Sequence, residues 1–160
     1  MTVFVTGVAG FIGYHVAEAL IKEGKRVIGI DNLNDYYDIS LKKERLKRFL
    51  AHSRATFIEA DITDKDLMLK IANENTAITE VVHLAAQAGV RYSLINPYAY
   101  THTNVEGFLV FLEFCRNLRD LRHAIYASSS SVYGSNTKLP FAVTDRVDTP
   151  VSLYAATKRS

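Results

Sequence analysis

The chain has 160 residues, of which 48% are hydrophobic, and its formal net charge is +2. That length suits one domain with a buried core, and the hydrophobic share argues against intrinsic disorder. The charge is too small to indicate a nucleic-acid partner, and no apolar run reaches the ~18 residues that would indicate a membrane span. Cys115 is the only cysteine and no signal peptide precedes the first apolar segment, so we expect a cytoplasmic domain without a disulfide.

Short segments rich in β-branched residues alternate along the chain with longer amphipathic segments. The strands predicted in chain order are Thr2–Thr6, Arg26–Ile30, Ala55–Glu59, Glu80–Leu84 and His123–Ser128. The predicted helices are Phe11–Glu23, Leu41–Leu50, Asp64–Asn75 and Tyr98–Leu118. This alternation predicts an α/β fold with a Rossmann-type, doubly wound parallel sheet, in which ligands bind beyond the carboxyl ends of the strands.

A glycine-rich turn follows the first predicted strand. Gly7, Gly10 and Gly13 allow a tight turn, close approach of the backbone to a pyrophosphate and close packing of the next helix. That helix begins near Phe11 and Ile12, and its free N–H groups would point at the pyrophosphate. Glycines also occur in ordinary turns, but a position between a strand and a helix is the context that a dinucleotide-binding motif requires.

Acidic residues follow the next two predicted strands. The carboxylate of Asp31 can accept hydrogen bonds from both hydroxyls of an adenosine ribose and would repel a 2′-phosphate, which favours NAD over NADP. A turn cap before Asn32 is the alternative role for Asp31. Asp61 and Ile62 can flank the adenine, with Asp61 accepting from its exocyclic amine. An N-cap for the helix that follows is the alternative role for Asp61, and Thr63 or Asp64 could supply that cap equally well. The residues predicted to lie against the cofactor after the fourth strand are Leu84, Ala85, Ala86 and Gln87.

Near the end of the chain, Tyr154 and Lys158 are four residues apart and therefore share one face of a helix. An ammonium beside a phenol favours the phenolate, which makes the tyrosine a better proton acceptor. A hydroxyl from the serine run Ser128–Ser131 can share a substrate proton with Tyr154 and polarise the reacting C–O bond. A flexible polar turn is the alternative for these serines. Each pattern is weak alone, and together they predict a catalytic group.

These motifs resemble those of the extended short-chain dehydrogenase/reductase family, the NAD-dependent epimerases and dehydratases of nucleotide sugars. The spacing of the three glycines matches the form of the motif in that family. The resemblance implies that Ser129, Tyr154 and Lys158 are the catalytic residues and that Tyr154 and Lys158 also contact the NAD. It further implies that Asn104, on the helix after the fourth strand, binds the cofactor, and that Ser130 lies in the substrate site.

Three longer segments, Asp31–Asp38, His83–Ser93 and Ala127–Gly134, are similar to the UDP-glucuronate 4-epimerases of bacterial capsule and lipopolysaccharide pathways. This resemblance covers essentially the whole chain and implies inversion at C4 through a 4-keto intermediate, with Tyr154 taking the 4-hydroxyl proton. Arg91 lies in the loop after the fourth strand, where a guanidinium can bind the carboxylate or diphosphate of the substrate. A surface arginine paired with a local carboxylate is the alternative.

Members of this family continue into a second half that supplies a nucleotide-sugar-binding domain. We therefore interpret residues 1–160 as the NAD-binding Rossmann domain, truncated before the C-terminal substrate domain, with a UDP-hexuronate as the expected substrate. The resemblance implies a homodimer formed through helix Tyr98–Leu118, and packing of that helix on the sheet is the alternative. The functional alternatives are another 4-epimerase, a dehydratase or decarboxylase of the family, or an NAD-binding fragment without turnover. Ser130 and Ser131 stand where a 4,6-dehydratase carries an acidic pair, which disfavours that enzyme.

Several other features are predicted to be structural. The basic segment Lys42–Arg48 has an apolar helical side, so we assign its charges to a solvated face. Cys115 is predicted to pack in the core. The five histidines show no metal-ligand spacing, so no metal site is predicted. Among them, His83 is expected to be a hydrogen-bonded core residue.

Overall fold

The computed structural model describes all residues from Met1 to Ser160. The sheet has five parallel strands, β1 (Thr2–Thr6), β2 (Arg26–Asp31), β3 (Ala55–Glu59), β4 (Ile78–His83) and β5 (His123–Tyr126). Their spatial order is β3-β2-β1-β4-β5, so the direction of strand succession reverses between β1 and β4. This is the order of a doubly wound dinucleotide-binding sheet, and the predicted Rossmann-type fold is confirmed.

The helices are α1 (Phe11–Lys22), α2 (Ile39–Leu50), α3 (Lys65–Glu74), α4 (Pro97–Tyr100), a π-helix (Thr101–Glu106), α5 (Gly107–Asn117) and α6 (Leu153–Arg159). Short 3₁₀ turns cover Arg91–Leu94 and Ser130–Tyr133. None of these helices combines the length and the apolar character that crossing a bilayer demands.

Three predicted strands differ in their ends. Strand β2 continues one residue further than predicted, to Asp31, and β4 begins two residues earlier, at Ile78. Strand β4 ends at His83. The amide of Leu84 is shared between the carbonyl of Thr6, at 3.3 Å, and the hydroxyl of Thr6, at 3.1 Å, and the amide of Ala85 donates to that hydroxyl at 3.0 Å. Strand β5 ends at Tyr126 because this residue pairs with His83, the last residue of β4, and β4 has no further residue with which β5 could pair. The prediction of strand structure through Leu84 and Ser128 was therefore wrong.

The predicted helix Tyr98–Leu118 is present, but a π-helix lies between α4 and α5. A π-turn adds a residue to the helical repeat, which a count at the α-helical period does not anticipate. Within α5, Val110, Phe111 and Phe114 are buried whereas Leu112 is 47% exposed. Apolar residues occur on both sides of α5, so hydrophobic periodicity alone does not identify its buried face.

The chain divides into two compact units. The first consists of residues 1–85 and 109–126 and contains the whole sheet with α1, α2 and α3. Every residue of β1 is buried, as expected for a central parallel strand covered on both faces. The second unit consists of residues 86–108 and 127–160 and contains α4, the π-helix and α6.

Two residues with reactive side chains, His83 and Cys115, lie in the first unit. The ring of His83 is buried, stacks on Phe111 with centroids 4.2 Å apart, and exchanges a 2.9 Å hydrogen bond with the hydroxyl of Thr6. This confirms its predicted role in the core. Cys115 is partly buried, and that burial raises the pKa of its thiol to about 11. The thiol is therefore protonated at neutral pH, consistent with a packing role.

Candidate active site

The first unit holds the glycine-rich turn against the end of β4. The hydroxyl of Thr6, fully buried, accepts from both backbone amides after that strand and so joins the ends of β1 and β4. Gly7 has φ +72°, and a Cβ there would lie 2.8 Å from the amide nitrogen of Ala85. Only glycine satisfies this conformation and this contact together. The predicted loop and the predicted Leu84–Ala85 segment are thus neighbours.

The start of α1 is packed equally tightly on the loop. A Cβ at Gly13 would lie 2.0 Å from the carbonyl oxygen of Gly7, and one at Gly10 would lie 3.0 Å from the same atom. Gly10 is the N-cap residue of α1 and supplies no side-chain cap to its first amides. Phe11 and Ile12 follow it with side chains 66% and 61% exposed. The helix therefore begins with free N–H groups, which is the arrangement that binds anions.

Asp31 is buried, with only 7% of its surface exposed, at the end of β2. One carboxylate oxygen accepts from the amide of Ala9 at 3.1 Å and the other from the amide of Leu33 at 2.9 Å. The second bond is the turn cap that was the alternative role for this residue. The first ties Asp31 to the glycine-rich turn, so the carboxylate is fixed beside the loop by two backbone donors. Contact with a ribose stays a prediction.

Helix α2 contributes two cations that the sequence analysis assigned to a solvated face. Lys42 is 4% exposed, its ammonium donates to the side-chain oxygen of Asn34 at 2.9 Å, and it lies 3.6 Å from the Asp31 carboxylate. The Arg45 guanidinium donates to the carbonyl of Ala9 at 3.2 Å and lies 5.8 Å from the Phe11 ring centroid. The assignment was wrong for these two residues, which support the glycine-rich turn and Asp31.

We expect Lys42→Met to lower the free energy of unfolding by about 1–3 kcal/mol, since it removes the buried ammonium beside Asp31 and leaves the Asn34 oxygen without its donor. The matched control is Lys43→Met on the exposed side of the same helix, expected to change stability by less than about 0.5 kcal/mol. Urea unfolding followed by circular dichroism measures both. Equal stabilities for the two variants would contradict a supporting role for Lys42.

The ends of β2 and β3 are joined by side chains. Asn32 donates to one carboxylate oxygen of Asp61 at 2.7 Å, and the other oxygen accepts from the amide and hydroxyl of Thr63 at 2.9 and 2.8 Å. The N-cap of α3 is Asp64, so Asp61 does not have the helix-capping role that was its alternative. Ile62 is 4% exposed. The structure thus brings Asn32 and Asp61 together as predicted neighbours, while their contact with an adenine stays a prediction.

In the second unit, Tyr154 and Lys158 lie one turn apart on α6, as predicted. Ser152 caps this helix by accepting from the amide of Ala155 at 3.0 Å. The Tyr154 ring meets the Tyr100 ring edge-on with centroids 6.0 Å apart. The ammonium of Lys158 donates to the carbonyl of Ala127 at 3.0 Å, and its burial lowers its pKa from the ordinary lysine value.

The predicted catalytic serine lies at the start of the 3₁₀ turn Ser130–Tyr133. Ser129 caps this turn, and its side-chain oxygen accepts from the amide of Ser131 at 3.2 Å. Because the oxygen is the acceptor in this bond, the hydroxyl hydrogen remains free to be donated. Ser130 is exposed. The catalytic role of Ser129 and the substrate contact of Ser130 stay predictions.

Asn104 lies buried at the centre of the π-helix. Its side-chain oxygen accepts from the amide of Gln87 at 2.8 Å, and its nitrogen donates to the carbonyl of Gln87 at 3.0 Å and to the hydroxyl of Thr157 at 3.1 Å. Gln87 is itself buried, whereas Ala86 is half-buried. Thr157 was not predicted from the sequence, where its only signal is its polar side chain at a position between Tyr154 and Lys158. The predicted cofactor contacts of Asn104, Ala86 and Gln87 stay predictions.

Arg91 is exposed at the start of the 3₁₀ turn that follows the loop after β4. None of the ion pairs in the structure includes Arg91. The alternative role, a surface arginine paired with a local carboxylate, is therefore wrong. The loop before Arg91 is fixed by Tyr100, whose hydroxyl donates to the carbonyl of Ala88 at 2.7 Å. Arg91 therefore presents an unpaired cation from an anchored loop.

The arrangement in each unit has a counterpart among known proteins. The family model for GDP-mannose 4,6 dehydratase matches residues 4–160. The chain belongs to this family of NAD-dependent epimerases and dehydratases.

Three proteins that are similar to the chain are 4-epimerases. UDP-glucuronate 4-epimerase 4 of Arabidopsis thaliana is 51% identical over 160 residues, which is 100% of this chain and 36% of that protein. The structure of UDP-glucuronic acid 4-epimerase from Bacillus cereus, in complex with UDP-glucuronic acid and NAD, superposes with a TM-score of 0.89 at 34% identity. UDP-glucose 4-epimerase from Thermotoga maritima, with UDP-glucose, gives a TM-score of 0.84 at 36% identity.

The chain is shorter than the enzymes it matches. It is covered completely by the Bacillus cereus structure and to 99% by the Thermotoga maritima structure, and it spans 49% and 48% of those chains. The likeness thus concerns about half of each enzyme, the half that contains the parallel sheet and α6.

Proposed function

We propose that the protein is an NAD-dependent nucleotide-sugar 4-epimerase that interconverts UDP-glucuronate and UDP-galacturonate. The observation that carries this proposal is the geometry of α6, which holds Tyr154 and a partly desolvated Lys158 one turn apart. The choice of UDP-glucuronate is supported by the Arabidopsis thaliana and Bacillus cereus enzymes, which resemble the chain along its whole length.

The residues of the first unit fit a dinucleotide. Side chains are excluded at Gly7 and Gly13 by backbone contacts of 2.8 and 2.0 Å, which leaves a surface of bare backbone at the start of α1. Asp31 is held by two amides and supplies an acidic acceptor where an adenosine ribose requires one. When bound, NAD would supply a reversible acceptor for hydride. Its predicted holders are the glycine-rich turn, Asp31, Asn32, Asp61 and the Leu84–Gln87 segment.

The second unit supplies groups that move a proton. The deprotonated side chain of Tyr154 takes the proton of the sugar 4-hydroxyl and becomes a phenol, and general acid–base groups of this kind contribute about 10²–10⁴-fold to a rate. The Lys158 ammonium donates one hydrogen to the carbonyl of Ala127 and keeps two others, with which it can orient bound groups. Ser129 donates its free hydroxyl hydrogen to the same sugar oxygen.

Arg91 is the proposed contact for the acidic part of the substrate. Its guanidinium is exposed and unpaired, so it can form two parallel hydrogen bonds with a carboxylate or a diphosphate. The other proposed partner is a second copy of the chain, since Leu109 and Leu112 of α5 are 60% and 47% exposed. A cytoplasmic location stays a prediction from the sequence.

We expect the protein to convert UDP-glucuronate into UDP-galacturonate when NAD is supplied, and proton NMR of the anomeric signals measures the product. Arg91→Lys should raise the KM for UDP-glucuronate about tenfold, because a lysine cannot make the paired hydrogen bonds. Arg119→Lys, at another exposed arginine, is the matched control and should leave KM unchanged.

Parallel reactions identify the other activities of the family. Conversion of UDP-glucose but not of UDP-glucuronate would replace the proposed substrate, and loss of water from a sugar nucleotide would indicate a dehydratase. NAD binding without turnover of any sugar nucleotide would indicate a binding fragment. An equal rise in KM for UDP-glucose and UDP-glucuronate in Arg91→Lys would assign Arg91 to the diphosphate, contrary to a role at the carboxylate.

A further inference from the structure

We propose that Thr157 is a positioning residue for Tyr154 and Lys158, because its buried hydroxyl links the backbone of α6 to the side chain of Asn104. This inference rests on the proposed function of the tyrosine and the lysine. It concerns a residue that touches neither reacting group and acts through the helix that carries both.

Helix α6 needs such a link because it has only seven residues. Helices of this length are unstable alone in water, so the position of α6 is set by its contacts and not by its own backbone bonds. Its contacts include the edge of Tyr100 against Tyr154, the bond from Lys158 to Ala127, the bond between Asn104 and Thr157, and the ion pair of Arg159 with Asp148. The first two involve the proposed catalytic side chains themselves and the fourth is exposed to solvent, so the third is the buried hydrogen bond that leaves them free for substrate.

In the bond between Asn104 and Thr157, the neighbouring hydrogen bonds determine which group is the donor. The amide of Gln87 is a donor and its carbonyl an acceptor, which fixes the oxygen of Asn104 on the first and its nitrogen on the second. The second hydrogen of that nitrogen therefore points at the hydroxyl oxygen of Thr157. The hydroxyl hydrogen in turn goes to the carbonyl of Tyr154, at 3.0 Å.

Burial makes this chain of bonds difficult to replace. Asn104 is 8% exposed and Thr157 is 6% exposed, so water has little access to either group. Removing the hydroxyl leaves one hydrogen of the buried Asn104 amide without its partner, which costs more than the bond itself contributes. The relaxation that satisfies this group displaces α6, and Tyr154 and Lys158 move with it.

The test compares Thr157→Val, which keeps the shape and removes the hydroxyl, with Thr157→Ser, which keeps the hydroxyl. Thr157→Val should lower kcat about 10–100-fold, as small misplacements of catalytic groups do, with KM for UDP-glucuronate changed less than about twofold. Thr157→Ser should restore most of kcat. The matched control is Thr101→Val, which removes an equivalent hydroxyl-to-carbonyl bond on the exposed side of the π-helix and should behave as wild type.

A second readout does not depend on turnover. Because burial lowers the pKa of Lys158, displacement of α6 in Thr157→Val should raise that pKa towards the ordinary value, as NMR titration of the labelled side chain measures.

If the wild type converts no sugar nucleotide, the proposed function fails while this titration still tests the role of Thr157. Should Thr157→Val not fold, Thr157→Cys, a weaker hydrogen-bonding residue, replaces it. If Thr157→Val or Thr157→Cys has the same kcat and the same Lys158 pKa as the wild type, the proposal is overturned.

Discussion

Tyr154→Phe is expected to lower the turnover of UDP-glucuronate, the proposed substrate, about 10²–10⁴-fold, since it removes the proposed acceptor of the 4-hydroxyl proton. The phenylalanine ring can keep the edge contact with Tyr100, and the backbone bond from Thr157 does not involve the phenol. Affinity for NAD should therefore change by less than about threefold, because the variant loses one neutral hydrogen bond at most. Steady-state kinetics measure the first quantity and isothermal titration calorimetry the second.

Tyr98→Phe is the matched control for this substitution, because Tyr98 is 83% exposed on α4. It should retain wild-type turnover. A decrease of less than tenfold in Tyr154→Phe would remove Tyr154 from the chemistry. A large decrease accompanied by loss of NAD binding would assign Tyr154 to the structure of the second unit instead.

Gly13→Ala is expected to lower the free energy of unfolding by about 3 kcal/mol or more, the upper range for overpacking of a tight site. Its Cβ would lie 2.0 Å from the carbonyl oxygen of Gly7, a backbone atom that cannot rotate away. Alanine is preferred over glycine within helices by only about 1 kcal/mol, so the steric effect prevails. The glycine-rich turn must move to relieve the contact, and NAD affinity should fall more than about tenfold with it.

Gly10→Ala provides the graded comparison, because its Cβ would meet the same oxygen at 3.0 Å and nothing else nearby. We expect a loss of about 1 kcal/mol or less, the lower end of the overpacking range. Urea unfolding and calorimetric titration with NAD measure both variants. Wild-type stability in Gly13→Ala would mean that α1 can separate from the loop without consequence, contrary to the packing described.

Much of the fold followed from patterns that are local in the sequence. The five strands and the glycine-rich turn were predicted because β-branched runs and glycine spacing reflect backbone requirements at their own positions. The ends of β4 and β5 were not, since they depend on the hydroxyl of Thr6 and on where the neighbouring strand stops. The π-helix was missed because hydrogen bonding in that segment is decided by tertiary contacts such as that of Asn104.

The candidate site shows the same division. Gly7, Asp31, Tyr154 and Lys158 could be predicted because each has a characteristic residue type at a characteristic spacing. Lys42 was placed in solvent on the basis of its charge, although the helical period puts it on the same side as Leu46 and Phe49, four and seven residues later. That period was a usable signal. Thr157 carries no such signal, since its importance lies in a bond to Asn104, 53 residues earlier.

The two bonds of Asp31 bear on any attempt to redesign cofactor preference. Exchanging the acidic residue after the second strand for a neutral one removes the charge that is expected to repel a phosphorylated ribose. Here the same carboxylate also restrains the amides of Ala9 and Leu33. A neutral residue without a hydrogen-bond acceptor would release the amides of both Ala9 and Leu33 when it removed the negative charge, and either dinucleotide would then meet a loosened glycine-rich turn. Serine or asparagine, which retain an acceptor for one amide, are therefore better starting points for such a redesign than alanine.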